Sequence, residues 1–188
     1  MRLVSTALPG VVVGVPTLHA DARGWFMESH NAAGFDAALR ALGLAPAGPF
    51  VQDNQSRSAA GVLRGLQDQL PPHAQGKLVG VLRGAAFDVA VDLRRASPTF
   101  GRWVGQTLTA DNRHQLWLPP GFAHGVLVLK DETELLYKVT AAHAPGYERA
   151  IRWDDPALGI VWPLQGRAPR LSARDAAAPM LAQAEVFG

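Results

Sequence analysis

A period of two runs through the middle of this chain and narrows its possible folds more than any other feature. Phe87, Val89, Val91 and Leu93 alternate with Asp88, Ala90, Asp92 and Arg94, which predicts a strand with one buried and one polar face. Lys77–Arg83 predicts another strand just before it, with Gly84 as the turn between them. Further strands are expected over Phe50–Ser56, Gly61–Gln69, Arg102–Ala110, Gln115–Leu118, Gly125–Leu129 and Glu134–Thr140. Ser97-Pro98, Asp111-Asn112 and Pro119-Pro120-Gly121 separate several of these as turn signals. Many short strands at this spacing point to an antiparallel sandwich or barrel. No helices of 10–15 residues alternate with them, which disfavours a parallel α/β sheet.

Two helices are expected at the periphery. Asn31–Leu42 places Phe35, Leu39 and Leu42 on one face, with Gly43 as a stop. The tail Ser172–Ala184 opens with Ser172-x-x-Asp175, a variant of the capping box. At 188 residues, with no repeat and no low-complexity linker, the chain is expected to form one domain over residues 1–188.

Composition shortens the list of possible chemistries. The absence of cysteine removes disulfides, Cys-ligated metals and a thiol nucleophile. Six histidines remain, at positions 19, 30, 73, 114, 124 and 143. A net charge of +2 argues against a nucleic-acid-binding tail. The basic residues are mostly arginine, with lysine only at Lys77, Lys130 and Lys138. That bias fits either genome composition or recognition of planar and phosphate anions. The first residues lack a signal-peptide apolar region, and no run of about 18 apolar residues occurs. A cytoplasmic chain without a membrane partner is the expectation.

Pro119-Pro120-Gly121-Phe122-Ala123-His124-Gly125, lying between two strands, looks like the second motif of the cupin barrel, whose histidine points inward. Metal-binding cupins pair that histidine with an earlier His-x-His, which is absent here. No metal and no other cofactor is expected. His124 then reads as a hydrogen-bonding substrate ligand or as a satisfied interior histidine.

Other segments carry a more specific resemblance. They include Asp21-Ala-Arg23-Gly-Trp-Phe-Met-Glu28, Phe50-Val-Gln52-Asp53-Asn54, Val62-Leu-Arg64-Gly-Leu66 and Ala74-Gln-Gly-Lys77. Phe87-Asp-Val-Ala-Val-Asp92, Ser97-Pro-Thr-Phe-Gly101, Leu136-Tyr137-Lys138 and Ile151-Arg-Trp-Asp-Asp155 continue it. In order, and from about residue 3 to Asp175, the chain resembles the dTDP-4-dehydrorhamnose 3,5-epimerase family. The resemblance implies an all-β, cupin-like jelly roll (a double-stranded β-helix) with short peripheral helices. It also implies a homodimer whose N-terminal segments reach the partner's sheet and pocket. The implied substrate is a dTDP-linked 4-keto-6-deoxyhexose of deoxysugar (rhamnose) biosynthesis, whose ketone acidifies the protons on C3 and C5.

Such an isomerase needs a base, an enolate stabiliser and an acid facing the base. By resemblance, Lys77 holds the enolate oxygen, Tyr137 is the acid, and Asp175 orients the base. Arg23, Glu28, Gln52, Asp53, Asn54 and Arg64 are implied to bind the nucleotide and sugar, with His124, Glu148 and Arg174 completing the site. Arginines suit pyrophosphate oxygens, and paired carboxamides suit a pyrimidine edge.

The family's base position departs from the pattern. The family carries Arg-Gly-Leu-His-aromatic-Gln, whereas this chain reads Arg64-Gly65-Leu66-Gln67-Asp68-Gln69. A carboxamide is essentially non-basic and cannot accept a carbon-bound proton. Gln67 can still bond a sugar hydroxyl or Asp175. Asp175, in turn, can orient a base, accept from Gln67, or cap the C-terminal helix. Asp68 should face away from the pocket by strand alternation, and His73 and His143 are candidate replacement bases. Three readings stay open: an impaired or altered epimerase, a non-catalytic dTDP-sugar-binding module, and a different reaction on a related nucleotide sugar.

Overall fold

The computed structural model describes residues 1–188. Its strands are β1 (Arg2–Ser5), β2 (Val12–Val15), β3 (His19–Asp21), β4 (Gly24–Phe26), β5 (Gln52–Ser58), β6 (Leu63–Gln69) and β7 (Lys77–Arg83). They continue as β8 (Ala85–Asp92), β9 (Trp103–Thr109), β10 (Gln115–Leu118), β11 (Phe122–Val128), β12 (Thr133–Val139) and β13 (Glu148–Ala150). Helices α1 (Ala32–Ala41) and α2 (Ala173–Ala176) are peripheral.

One sheet has the order β1-β2-β10-β7-β12-β5 and the other β13-β6-β11-β8-β9, while β3 and β4 form a separate hairpin. Consecutive strands β7 and β8 lie in different sheets, and so do β11 and β12. Every strand pair is antiparallel. This is the jelly-roll architecture expected from the sequence. The Gly84 turn forms as expected at φ +80°, and a Cβ there would meet the Thr133 side chain at 2.3 Å.

Between the sheets lies a cluster that includes Val79, Val81, Ala86, Ala90, Val126 and Leu135. A second cluster covers the outer face of the five-stranded sheet, where Ile151, Leu158, Trp162 and Phe187 pack on Leu63, Leu66, Val89 and Val91. β8 is therefore buried on both faces. This corrects the expectation of a polar face, because Asp88 and Asp92 are fully buried. The facing six-stranded sheet covers the Asp88 and Ala90 side, the returning C-terminal segment covers Val89 and Val91, and nothing local to β8 announces either.

Helix α1 matches its prediction. Asn31 caps it by accepting from Gly34 N at 3.0 Å, and buried Phe35 meets Trp117 edge-on at 5.6 Å. The predicted helix over Ser172–Ala184 is corrected to the single turn of α2, with a short 3-10 turn at Leu181–Gln183. Pro179 lies within the expected span and cannot continue an α-helical hydrogen-bond ladder. Strands β1 to β4 and β13 are too short or too mixed in pattern to have been read from sequence.

Candidate active site

A cavity of about 340 Å³ opens between the two sheets. Each sheet contributes alternate residues from its strands. On β5, Gln52, Asn54 and Ser56 line the cavity while Asp53 turns away to an ion pair with Lys138 at 2.8 Å. The Gln52 amide donates to Asn54 Oδ1 at 2.7 Å, and its carbonyl accepts from His143 N at 3.0 Å. From β6, Arg64 also faces the cavity and bonds Ser58 Oγ at 3.0 Å.

Three chemically active groups face one another here. Lys77, at the start of β7, donates to the Gln67 backbone carbonyl at 3.2 Å. Burial pushes its ammonium pKa down, against the opposing pull of the Asp68, Glu148 and Asp88 charges. Tyr137, on β12, meets Ser56 Oγ at 3.3 Å, and burial raises its phenol to about 12. The phenol therefore keeps its proton at neutral pH. His124, on β11, touches the Tyr137 ring edge-on, with centroids 5.8 Å apart.

Gln67 donates through Nε2 to Asp175 Oδ1 at 2.7 Å, and Ser172 Oγ donates to Oδ2 at 2.8 Å. Ser172 also accepts from Asp175 N at 3.1 Å, so Asp175 both belongs to the cap of α2 and holds Gln67. Two of the three readings left open for Asp175, acceptor and cap, coexist.

Asp68 borders the cavity, yet both its carboxyl oxygens are buried without a hydrogen bond. Its neighbours two residues away, Leu66 and Leu70, pack in the outer cluster, and alternation puts Asp68 on that side. Burial raises its pKa to about 6, only partly opposed by Lys77 and Arg149.

Not every expected residue converges. Glu148 reaches the rim, where Arg174 and His143 both bond its Oε2. Burial would raise the Glu148 pKa, but the bonds and charges of Arg174 and His143 together outweigh it and hold the carboxylate below its ordinary range. Arg23 sits on the β3–β4 hairpin, paired with Asp21 at 2.6 Å and well away from this cavity's lining. Glu28 lines a separate small pocket with His30 and Asn31. His73 stacks near Tyr147 at 4.5 Å and is not among the lining residues, whereas His143 is. Sequence reading missed Gln69, Gln75, Ser56 and Asp88. Gln69 pins the rim loops by donating to His73 O at 2.8 Å and accepting from Ala144 N at 2.8 Å. Nowhere are three or more His, Asp or Glu side chains grouped to hold a metal ion.

The chain is thus a jelly roll whose polar cavity gathers a lysine, a tyrosine and a histidine, groups able to stabilise an oxyanion and to move protons. The model of the dTDP-4-dehydrorhamnose 3,5-epimerase family matches residues 5–183, and the chain belongs to that family. It is 50% identical over 187 residues to the dTDP-4-dehydrorhamnose 3,5-epimerase of Pseudomonas aeruginosa, covering 100% of this chain and 99% of that one. Identity to the Salmonella typhimurium enzyme of the same name is 49%, covering 98% and 97% of the two chains. Among solved structures, it superposes with a TM-score of 0.89 on the dTDP-6-deoxy-D-glucose-3,5-epimerase of Legionella pneumophila in complex with dTDP-4-keto-L-rhamnose. That match has 45% identity and covers 97% of this chain and 93% of the other. A 3'-monoepimerase of Streptomyces bikiniensis in complex with dTDP-quinovose gives a TM-score of 0.86 at 35% identity, over 97% and 88% of the two chains.

Proposed function

We propose that this protein is a nucleotide-sugar epimerase acting on a dTDP-4-keto-6-deoxyhexose, with activity altered by Gln67. The observation that carries this reading is the convergence of Lys77, Tyr137 and His124 on one cavity beside the Gln67–Asp175 pair. The C4 ketone acidifies the protons on C3 and C5. When one of them leaves, its electron pair enters a carbon–carbon double bond and the carbonyl pair moves to oxygen. The Lys77 ammonium stabilises that enolate oxygen. Tyr137, protonated at neutral pH, returns a proton to the carbon from the facing sheet. Arg64 engages the pyrophosphate, while Gln52 and Asn54 address the base and sugar. Gln67 cannot take the carbon-bound proton, but its Oε1 has no protein partner and can accept from a sugar hydroxyl.

The same reading makes the protein a homodimer. The β3–β4 hairpin pairs with no other strand of its chain and carries exposed Trp25 and Phe26 beside Arg23. In a dimer, Arg23 and Glu28 serve the partner's cavity.

The second reading is a non-catalytic dTDP-sugar-binding module, favoured by the tight Gln67–Asp175 bond at the base position. Incubation with dTDP-4-keto-6-deoxyglucose in deuterium oxide separates the two, with C3 and C5 exchange followed by NMR. The epimerase reading expects exchange above the uncatalysed rate. Binding of the sugar nucleotide without exchange would leave only the module.

A further inference from the structure

The cavity contains a second carboxylate-backed side chain, and its chemistry differs from that of Gln67. His124 Nε2 lies 2.9 and 3.0 Å from the two oxygens of Asp88, and both residues are buried. The other ring nitrogen, Nδ1, bonds no protein atom and is not among the polar atoms sealed from the surface. Since His124 lines the cavity, Nδ1 opens into it. A carboxylate on one nitrogen selects the Nε2–H tautomer and leaves a lone pair on the other, as a histidine base requires.

Position supports the same role. His124 and Gln67 are direct register partners on β11 and β6. Partner side chains in an antiparallel pair emerge on the same face, with Cβ atoms about 5 Å apart. His124 therefore approaches the cavity from the same sheet as Gln67, one strand over, while Tyr137 stands on the other sheet. His143 is less suited, being half exposed and sharing the Glu148 carboxylate with Arg174.

We infer that His124, oriented by Asp88, is the base that removes the carbon-bound proton in this protein. This rests on the epimerase reading and names its missing group. The C–H bond breaks, its proton bonds His124 Nδ1, and its electron pair forms the enolate held by Lys77. Tyr137 then gives its hydroxyl proton to carbon and becomes a phenolate. After product leaves, the imidazolium gives its proton to solvent and the phenolate takes one from solvent, which restores both groups. His124 is thus catalytic, and Asp88 is a positioning residue.

The test compares wild type, His124→Asn and Asp88→Asn by exchange of dTDP-4-keto-6-deoxyglucose protons in deuterium oxide, with dTDP binding as the folding control. Wild type should exchange, and His124→Asn should lose roughly 100-fold or more while still binding dTDP. Exchange undiminished in His124→Asn would overturn the inference and leave the epimerase reading standing. Absence of exchange in wild type would overturn both. Nitrogen-15 NMR of the wild-type imidazole provides a check independent of variant folding. The Nε2–H tautomer is expected near neutral pH, shifting toward Nδ1–H in Asp88→Asn, whose amide can donate to Nε2. A wild-type Nδ1–H tautomer would also overturn the inference.

Discussion

Gln67 donates a 2.7 Å hydrogen bond to Asp175, and Ser172 satisfies the other carboxyl oxygen. Both oxygens of Asp175 thus act as acceptors, and the carboxamide is held by its nitrogen end. An amide thus stands against the carboxylate, with no basic nitrogen at this position. Two carboxylates, Asp175 and Asp88, consequently orient two neighbouring side chains of one sheet, and only one of those side chains is a base.

Gln67→His should place a base against Asp175. In the His124→Asn background it should raise exchange about 10²–10⁴-fold. No rescue in the NMR exchange assay would show that a histidine at position 67 does not reach the carbon-bound proton. Gln67→Leu should cost about 1–3 kcal/mol in denaturant unfolding, because a buried carboxyl oxygen of Asp175 loses its donor.

Asp68 should make the fold less stable as pH rises. Its pKa is about 6 when folded against an ordinary 3.8. Between those values the folded state binds the extra proton, so stability falls from about pH 4 through about pH 6 and stays low above it. Asp68→Asn removes the penalty, up to about 3 kcal/mol for a shift of roughly two units. Thermal unfolding should therefore show the variant stabilised several degrees more at pH 8 than at pH 4.

Asp92 works in the opposite sense. Burial would raise its pKa, but Arg94, Ser97 and Thr99 all bond its carboxylate and bring it to about 2. Stability from this group is complete above about pH 4 and is lost as pH falls toward 2. Asp92→Asn should unfold about 2–4 kcal/mol more easily at pH 7 and show a flatter acid-unfolding curve. The Ser97-Pro-Thr-Phe-Gly101 motif thus serves the fold through Asp92.

Gly65→Ala should disrupt the site from beneath. Gly65 has φ +116°, and a Cβ there would lie 2.5 Å from the His124 carbonyl oxygen and 2.7 Å from Gly125 Cα. Backbone on both sides leaves no room for relief. A loss of about 3 kcal/mol or more, with weakened dTDP binding, is expected from denaturation and titration.

Much of the molecule was legible in the residues alone. Alternation marked β7 and β8, the Asn31 cap and Gly43 bounded α1, and the register of motifs identified the family. Local patterns suffice there because strand period, caps and turns depend on a few neighbouring residues. The lack of basicity at Gln67 was equally plain, since a carboxamide is non-basic wherever the chain places it. Other features needed the tertiary structure. Asp88 reads as a solvent-facing residue on an alternating strand until the six-stranded sheet closes over that face of β8 and His124 arrives beside it. Asp175 reads as orienter, acceptor or helix cap alike until β6 brings Gln67 to one oxygen while Ser172 takes the other. Hydrogen bonds between distant segments depend on strand order and register, which close only when the two sheets meet. A sequence shows which chemical groups are available; the fold decides which of them become partners.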